Sequence, residues 1–142
     1  MKNKIYRQFR IKFVKMSIQA IKTDKGTPPG GHYSQGIKFG NLLFTAGQVP
    51  VDPLTSELRN SSIEEETRQT LDNLAAVAEA AGTSLKNTLK VTVFLTDMKL
   101  FLGFNSVYAE YFPNNPPARS TIQVGPLLRD VHIEIEAVIA IL

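Results

Sequence analysis

The chain has 142 residues, 43% hydrophobic and 20% charged, a size and balance that suit one folded domain and exclude disorder by composition. It has no cysteine, which excludes disulfides, thiolate catalysis and Cys-type zinc sites, and two histidines, His32 and His132, are too few for a histidine-rich metal centre. The net charge of +3 misleads: residues 1–15 carry six basic side chains and no acid, so residues 16–142 hold ten basic and thirteen acidic residues, a net of −3, and the bulk charge suggests no basic groove for a phosphate backbone.

Residues 1–16 are read as a basic N-terminal extension and 17–142 as a single domain. The extension interleaves Lys and Arg with Ile5, Tyr6, Phe9, Ile11, Phe13 and Val14, a pattern too broken for a secretory signal. It is a leader, an arm or a targeting segment: basic and acid-free like a mitochondrial presequence, yet nearly without serine. Met16-Ser17 also has the look of a second start. No apolar run approaches the roughly 18 residues of a membrane span. The absence of cysteine is compatible with a cytoplasmic location, and a mitochondrial one follows only if the extension is a presequence.

Ser17–Lys22 reads as a strand, and Thr27-Pro28-Pro29-Gly30-Gly31 as a loop. Two short apolar runs, Gly36–Phe39 and Leu42–Ala46, flank Gly40-Asn41 and predict a hairpin. Val49–Ser61 holds Pro50, Pro53 and polar turn formers and reads as a loop. Ser62 with Glu65 three residues on forms a capping-box pattern, and Glu64–Glu66 suit the positive end of a helix dipole. Ile63, Thr67, Leu71, Leu74, Ala78 and Ala81 make one apolar stripe, and Gly82 is the expected left-handed stop. Leu89–Thr96 is a strand. Asp97 is placed to cap a second helix with Leu100, Phe104, Val107, Tyr108 and Tyr111 on one face, ended by Pro113, Pro116 and Pro117. Ala118–Val124 and Val131–Leu142 are the last strands. The order predicts an α+β domain, a mixed six-stranded sheet with two helices packed on one face.

Strand side chains alternate between faces. In the last strand Val131, Ile133, Ile135, Ala137, Ile139 and Ile141 form a wholly apolar face that should meet the helices. His132, Glu134, Glu136, Val138, Ala140 and Leu142 lie on the other. In the strand before it, alternation separates Ser120, Ile122 and Val124 from Arg119, Thr121 and Gln123. The helix-free face is expected to carry both Arg119 and Glu134. Its apolar residues should be buried by a second copy of the chain, with Arg119, Glu134 and Glu136 near the seam. Such an Arg and Glu are either a structural ion pair or a carboxylate clamp beside a general base, and periodicity does not decide between the two.

Five segments together resemble one family. Pro117-Ala118-Arg119-Ser120-Thr121, followed by Val131-His132-Ile133-Glu134-Ile135-Glu136-Ala137, is similar to the C-terminal signature of the RidA family, the reactive intermediate deaminases of YjgF type. Gly31-His32-Tyr33-Ser34-Gln35-Gly36, Thr45-Ala46-Gly47-Gln48-Val49-Pro50 and Asn105 three residues before Tyr108 resemble its other motifs, in the same order. The resemblance implies a chorismate-mutase-like fold and a homotrimer with clefts between subunits. It also implies cofactor-independent hydrolysis of small 2-imino acids and their enamine tautomers, such as 2-aminoacrylate or 2-iminobutanoate, to 2-oxo acids and ammonia. Carried over by position, Arg119 would bind the substrate carboxylate, Glu134 would hold or activate water, and Tyr33 would line the cleft. Gly47, Asn105 and the backbone at Thr121 would complete the substrate site.

Three positions depart from the family's pattern: His32 stands for a usual proline, Ala46 for a frequent serine and Thr121 for a frequent cysteine. Two other readings stand beside the deaminase. A non-catalytic trimer could bind 2-oxo acids, a reading that Ala46 leaves room for. An RNA-directed translation inhibitor or endoribonuclease is opposed by the −3 charge and the lack of a catalytic histidine pair.

Overall fold

The computed structural model describes residues 17–142, and the extension read over 1–16 lies outside the described residues. The elements in chain order are β1 (Ile18–Ile21), β2 (Gly36–Phe39), β3 (Leu42–Thr45), α1 (Ile63–Ala80), β4 (Thr88–Leu95), α2 (Phe101–Tyr111), β5 (Ala118–Gln123) and β6 (Ile133–Ala140). The six strands form one sheet in the order β1-β2-β3-β6-β4-β5. Every pairing is antiparallel except β4 with β5, which are parallel because α2 carries the chain back between them. The architecture is the α+β mixed sheet with two helices that the sequence predicts.

Local chemistry sets the element ends. Ser62 Oγ accepts from the Glu65 N–H at 3.2 Å, half of a capping box. The returning carboxylate of Glu65 goes to Ser61 instead of Ser62, accepting its N–H at 2.8 Å and its hydroxyl as well. Gly82, at φ +84°, closes α1 in the left-handed region, as its position implies. Asp97 accepts from Lys99 N at 2.8 Å, yet the turn it caps is a short 3₁₀ segment, Met98–Leu100, that leads into α2.

The last strand inserts between β3 and β4 and organises the core. Ile133, Ile135, Ala137 and Ile139 are buried with Val91, Val93 and Leu95 of β4 and Leu43 of β3. Against them lie Leu71, Leu74, Val77 and Ala78 of α1 and Phe104 and Tyr108 of α2. Each large apolar side chain of this layer contributes roughly 1.5–3 kcal/mol of burial.

Three buried polar side chains fasten loops to this core. Asn73, fully buried in α1, donates from Nδ2 toward Thr27 Oγ1, Val49 O and Val51 O, all at 2.8–2.9 Å. Gln35 accepts from Thr23 N at 2.7 Å and donates to the carbonyls of Thr23 and Thr27. Glu66, 1% exposed, accepts the backbone N–H of His132 at 2.7 Å and contacts its Nδ1 at 2.6 Å. His132, which the sequence assigns to the helix-free face beside Glu134, therefore reaches toward α1 just before β6 begins.

Replacing Asn73 by alanine leaves the Val51 carbonyl and the Thr27 hydroxyl without their buried donor and leaves the Val49 carbonyl only the Thr27 hydroxyl. The expected cost is about 1–3 kcal/mol, seen as a melting temperature lower by roughly 4 °C or more, with the far-ultraviolet circular dichroism unchanged.

Candidate active cleft

The cleft begins with a change of register. Between β3 and β6 the pairing runs Leu42↔Ala140, Leu43↔Ile139 and Phe44↔Val138, but the next bridge, Gln48↔Ile135, has advanced by one residue. In the gap, the Thr45 hydroxyl accepts the Ala137 N–H at 2.9 Å in place of a backbone carbonyl. Gln48 and Ile135 then exchange two backbone hydrogen bonds at 2.8 and 3.0 Å. This brings Gly47 against the side chain of Glu134. A Cβ on Gly47 would land on Glu134 Oε1 and lie 2.6 Å from Cδ, so only glycine leaves room for the carboxylate here.

Glu134 opens into a cleft of about 620 Å³, also lined by Tyr33, Ala46, Gly47, Val49 and Arg129. Two loops wall it. Pro28–Gly30 is tied down through Thr27 and Gln35, and Val49–Leu58 is held by the Asn73 bonds and by Arg59, which donates to Asp52 from Nη2 at 2.6 Å and Nε at 3.1 Å. The Arg59 guanidinium keeps the Asp52 carboxyl below the usual aspartate range. Tyr33 lies half-exposed on the cleft wall, and its hydroxyl accepts the Gly30 N–H at 3.0 Å, so it also braces its own loop. Desolvation raises the pKa of Glu134 above the ordinary glutamate value, and the neighbouring Glu136 raises it further. A carboxyl so tuned can take up and release a proton closer to neutrality.

Arg119 does not share this cleft. The sequence expectation that Arg119 and Glu134 lie together on the helix-free face is corrected by the register. Arg119 pairs with Val91, which pairs with Ala137, all on the face that meets the helices. Glu134 pairs with Phe94, and Phe94 with Ile122, on the opposite face. Alternation divides β5 into two sets, but only its parallel pairing with β4 decides which set turns to the helices.

Arg119 sits instead on the edge strand against α2. Its guanidinium carbon is 5.5, 5.0 and 4.5 Å from the ring centroids of Phe101, Phe104 and Tyr108, within cation–π range. Nη1 donates to Asn105 Oδ1 at 2.9 Å, and no carboxylate among the described residues pairs with it. Thr121 is on the same face two residues on, its hydroxyl buried without a partner. Burial pushes the Tyr108 hydroxyl up to about 12, with the Arg119 charge acting in the other direction.

The six candidate residues thus form two groups on opposite sides of the sheet: Tyr33, Gly47 and Glu134 in the cleft, Asn105, Arg119 and Thr121 at the β5 edge. The helix stripe signals Phe104 and Tyr108, but only as core. Arg129 and Ser56 on the cleft rim carry no signal in the sequence beyond their place in connecting segments. His32 is exposed in its loop.

The Endoribonuclease L-PSP family model matches residues 24–141. A RutC family protein of Pyrococcus horikoshii is 51% identical over 120 residues, 84% of this chain and 95% of that protein. The Escherichia coli protein TdcF, named a reactive intermediate deaminase, is 39% identical over 121 residues, 83% of this chain and 93% of its own length. The crystal structure of E. coli TdcF with bound serine superposes with a TM-score of 0.82 at 38% identity, covering 86% of this chain and 98% of that one.

Two expectations follow from the cleft. A glutamate whose folded-state pKa is raised holds its proton more tightly folded than unfolded. Its ionisation therefore removes stability as the pH climbs above the ordinary glutamate range, and removes none below it. Glu134→Gln is expected to raise the melting temperature at about pH 7 and to leave it unchanged at about pH 3.5. In Gly47→Ala the carboxylate must swing out of its seat, and nuclear magnetic resonance titration of Glu134 should find its pKa returned toward the ordinary value.

Proposed function

The chain belongs to the Endoribonuclease L-PSP family, which includes proteins named as reactive intermediate deaminases, and we propose that it is a hydrolytic deaminase of small 2-imino acids. The observation that carries this reading is the Glu134 carboxyl, seated against the bare Gly47 backbone in an open cleft with its pKa raised. The substrates proposed are 2-iminopropanoate, 2-iminobutanoate and their enamine tautomers, and the products are the 2-oxo acid and ammonia.

A protonated imine carbon is already electrophilic, so the chemistry needs a positioned water and a proton carrier more than a strong nucleophile. Glu134 takes a proton from the water as its oxygen bonds to the imine carbon. It returns that proton to the nitrogen of the resulting carbinolamine. The C–N bond then breaks as the C=O bond forms, and the hydroxyl proton leaves with the departing ammonia as ammonium. Tyr33 lines the reacting end, and the Gly47 backbone, with no side chain of its own, offers polar contacts beside the Glu134 carboxyl. The residues used require no metal or cofactor.

Arg119 is proposed to take the substrate carboxylate. Its planar fork, stacked on three rings and steadied by Asn105, is pre-organised for bidentate contact. Because Arg119 and Glu134 occupy opposite faces, one chain does not bring them to one substrate, and a site that uses both joins two copies. The helix-free face supports such assembly, since Phe44, paired with Val138, and Ile122, paired with Phe94, are 44% and 48% exposed. A homotrimer with three such clefts is the assembly proposed, in the cytoplasm. An RNA-cleaving reading lacks comparable support: neither histidine lines the cleft, and His132 is engaged by Glu66.

The experiment mixes two inactive chains. Arg119→Ala and Glu134→Ala are each expected to lower imine hydrolysis by about 100-fold or more, measured by loss of semicarbazone signal when an amino-acid oxidase generates 2-iminopropanoate. Co-assembled at equal amounts, they should recover about a quarter of wild-type activity, because random pairing leaves that share of interfaces with both residues intact. Wild-type protein without activity would overturn the deaminase reading. Single variants that stay dead on mixing would overturn the shared site.

A further inference from the structure

The cation that shares the Glu134 cleft within one chain is Arg129, for which the deaminase reading has no role. Its backbone is strained: Arg129 and Asp130 are consecutive non-glycine residues at φ 60° and 55°, and Ser56 across the rim is at φ 62°. These are three of the four such residues in the described chain, and two of the three, Ser56 and Arg129, line the cleft. Left-handed backbone of this kind at non-glycine residues gathers where a fold must aim a group. The result is that the Arg129 side chain turns back toward loop 49–58, where Nη2 donates to Ser56 O at 3.2 Å. One N–H of the fork is anchored, and no carboxylate among the described residues pairs with the rest. Arg129 and Glu134 therefore line one cavity without forming an ion pair. Val49, Val51, Leu58 and Leu128 supply apolar wall.

A cleft with a carboxyl for the imine, an apolar wall and a second guanidinium fits a particular ligand. We propose that Arg129 is a specificity-determining residue that selects 2-imino acids whose side chain is a short methylene chain ending in a carboxylate. This rests on the deaminase reading for the reacting end of the ligand and adds the recognition of its far end. The methylenes lie along the apolar wall, and the terminal carboxylate meets the free edge of the Arg129 fork. Arg119 remains the partner of the carboxylate next to the imine.

The test uses product-type ligands, so binding is read apart from turnover. Calorimetric titration of the whole protein with 2-oxoglutarate and with 2-oxobutanoate should find the diacid bound about 10-fold more tightly. Arg129→Ala should abolish that preference while changing 2-oxobutanoate affinity by less than about 2-fold, and Arg129→Lys, which keeps the charge but not the fork, should retain part of it. A merely structural Arg129 would weaken both ligands together and lower the melting temperature without altering their ratio. That outcome overturns the proposal, as do a wild-type protein with no preference and one that binds neither acid. Imine hydrolysis assayed on the same samples separates the two readings: a diacid preference without turnover sinks the deaminase alone, and turnover without a preference sinks the role of Arg129 alone.

Discussion

The side-chain amide of Asn73 is the point on which the cleft depends. It lies in the middle of α1 with no exposure, where an unpaired amide would cost free energy, and it finds acceptors on residues far away in the chain. Both loops that wall the cleft are fastened there, one through Thr27 and the other through Val49 and Val51. Gln35 repeats the device from the start of the hairpin. Loops of this length would otherwise wander over the surface. Polar side chains buried in the helix-facing layer convert them into fixed walls.

The second constraint is the position of β6 in the sheet. Because it lies between β3 and β4, its alternation has a fixed meaning on both sides. Ile133, Ile135, Ala137 and Ile139 complete the core, while Glu134 and Glu136 are delivered to the helix-free face at no cost to that packing. The position does have a cost for Glu134: burial strips water from its carboxylate, and Glu136 on the next same-face position adds repulsion, so its charged form is disfavoured. Arg119, by contrast, is stabilised by rings that belong to the core cluster or pack against it, so the same aromatic layer that holds α2 to the sheet also aims the guanidinium.

Much of this was legible in the residues. The hairpin about Gly40-Asn41, the Ser62 cap, the Gly82 stop and the two-faced pattern of the last strand are local signals, and each sits where its chemistry demands. The facing of β5 was not legible, because Arg119, Ser120, Thr121, Ile122 and Gln123 give neither face a clear apolar majority. An edge strand with mixed polarity takes its orientation from its neighbour. The buried roles of Asn73, Gln35 and Glu66 were hidden for a different reason: polar residues in a helix or loop read as solvent-facing, and their partners lie at long range. The register shift at Thr45–Gln48 was likewise invisible, although the motif around Gly47 marked the place.

The fit between Gly47 and Glu134 has a consequence for how this protein can diverge. Two positions distant in the chain compete for one volume, so a change at 47 is felt at 134. A descendant that acquires any side chain at 47 has in effect also altered its carboxylate, even with the glutamate codon intact. The permissive order of change runs the other way: shortening residue 134 first would free the space, and 47 could then drift. Where the carboxylate is not required, the glutamate should therefore be lost before the glycine, and the hollow between β3 and β6 should close by filling rather than by collapse.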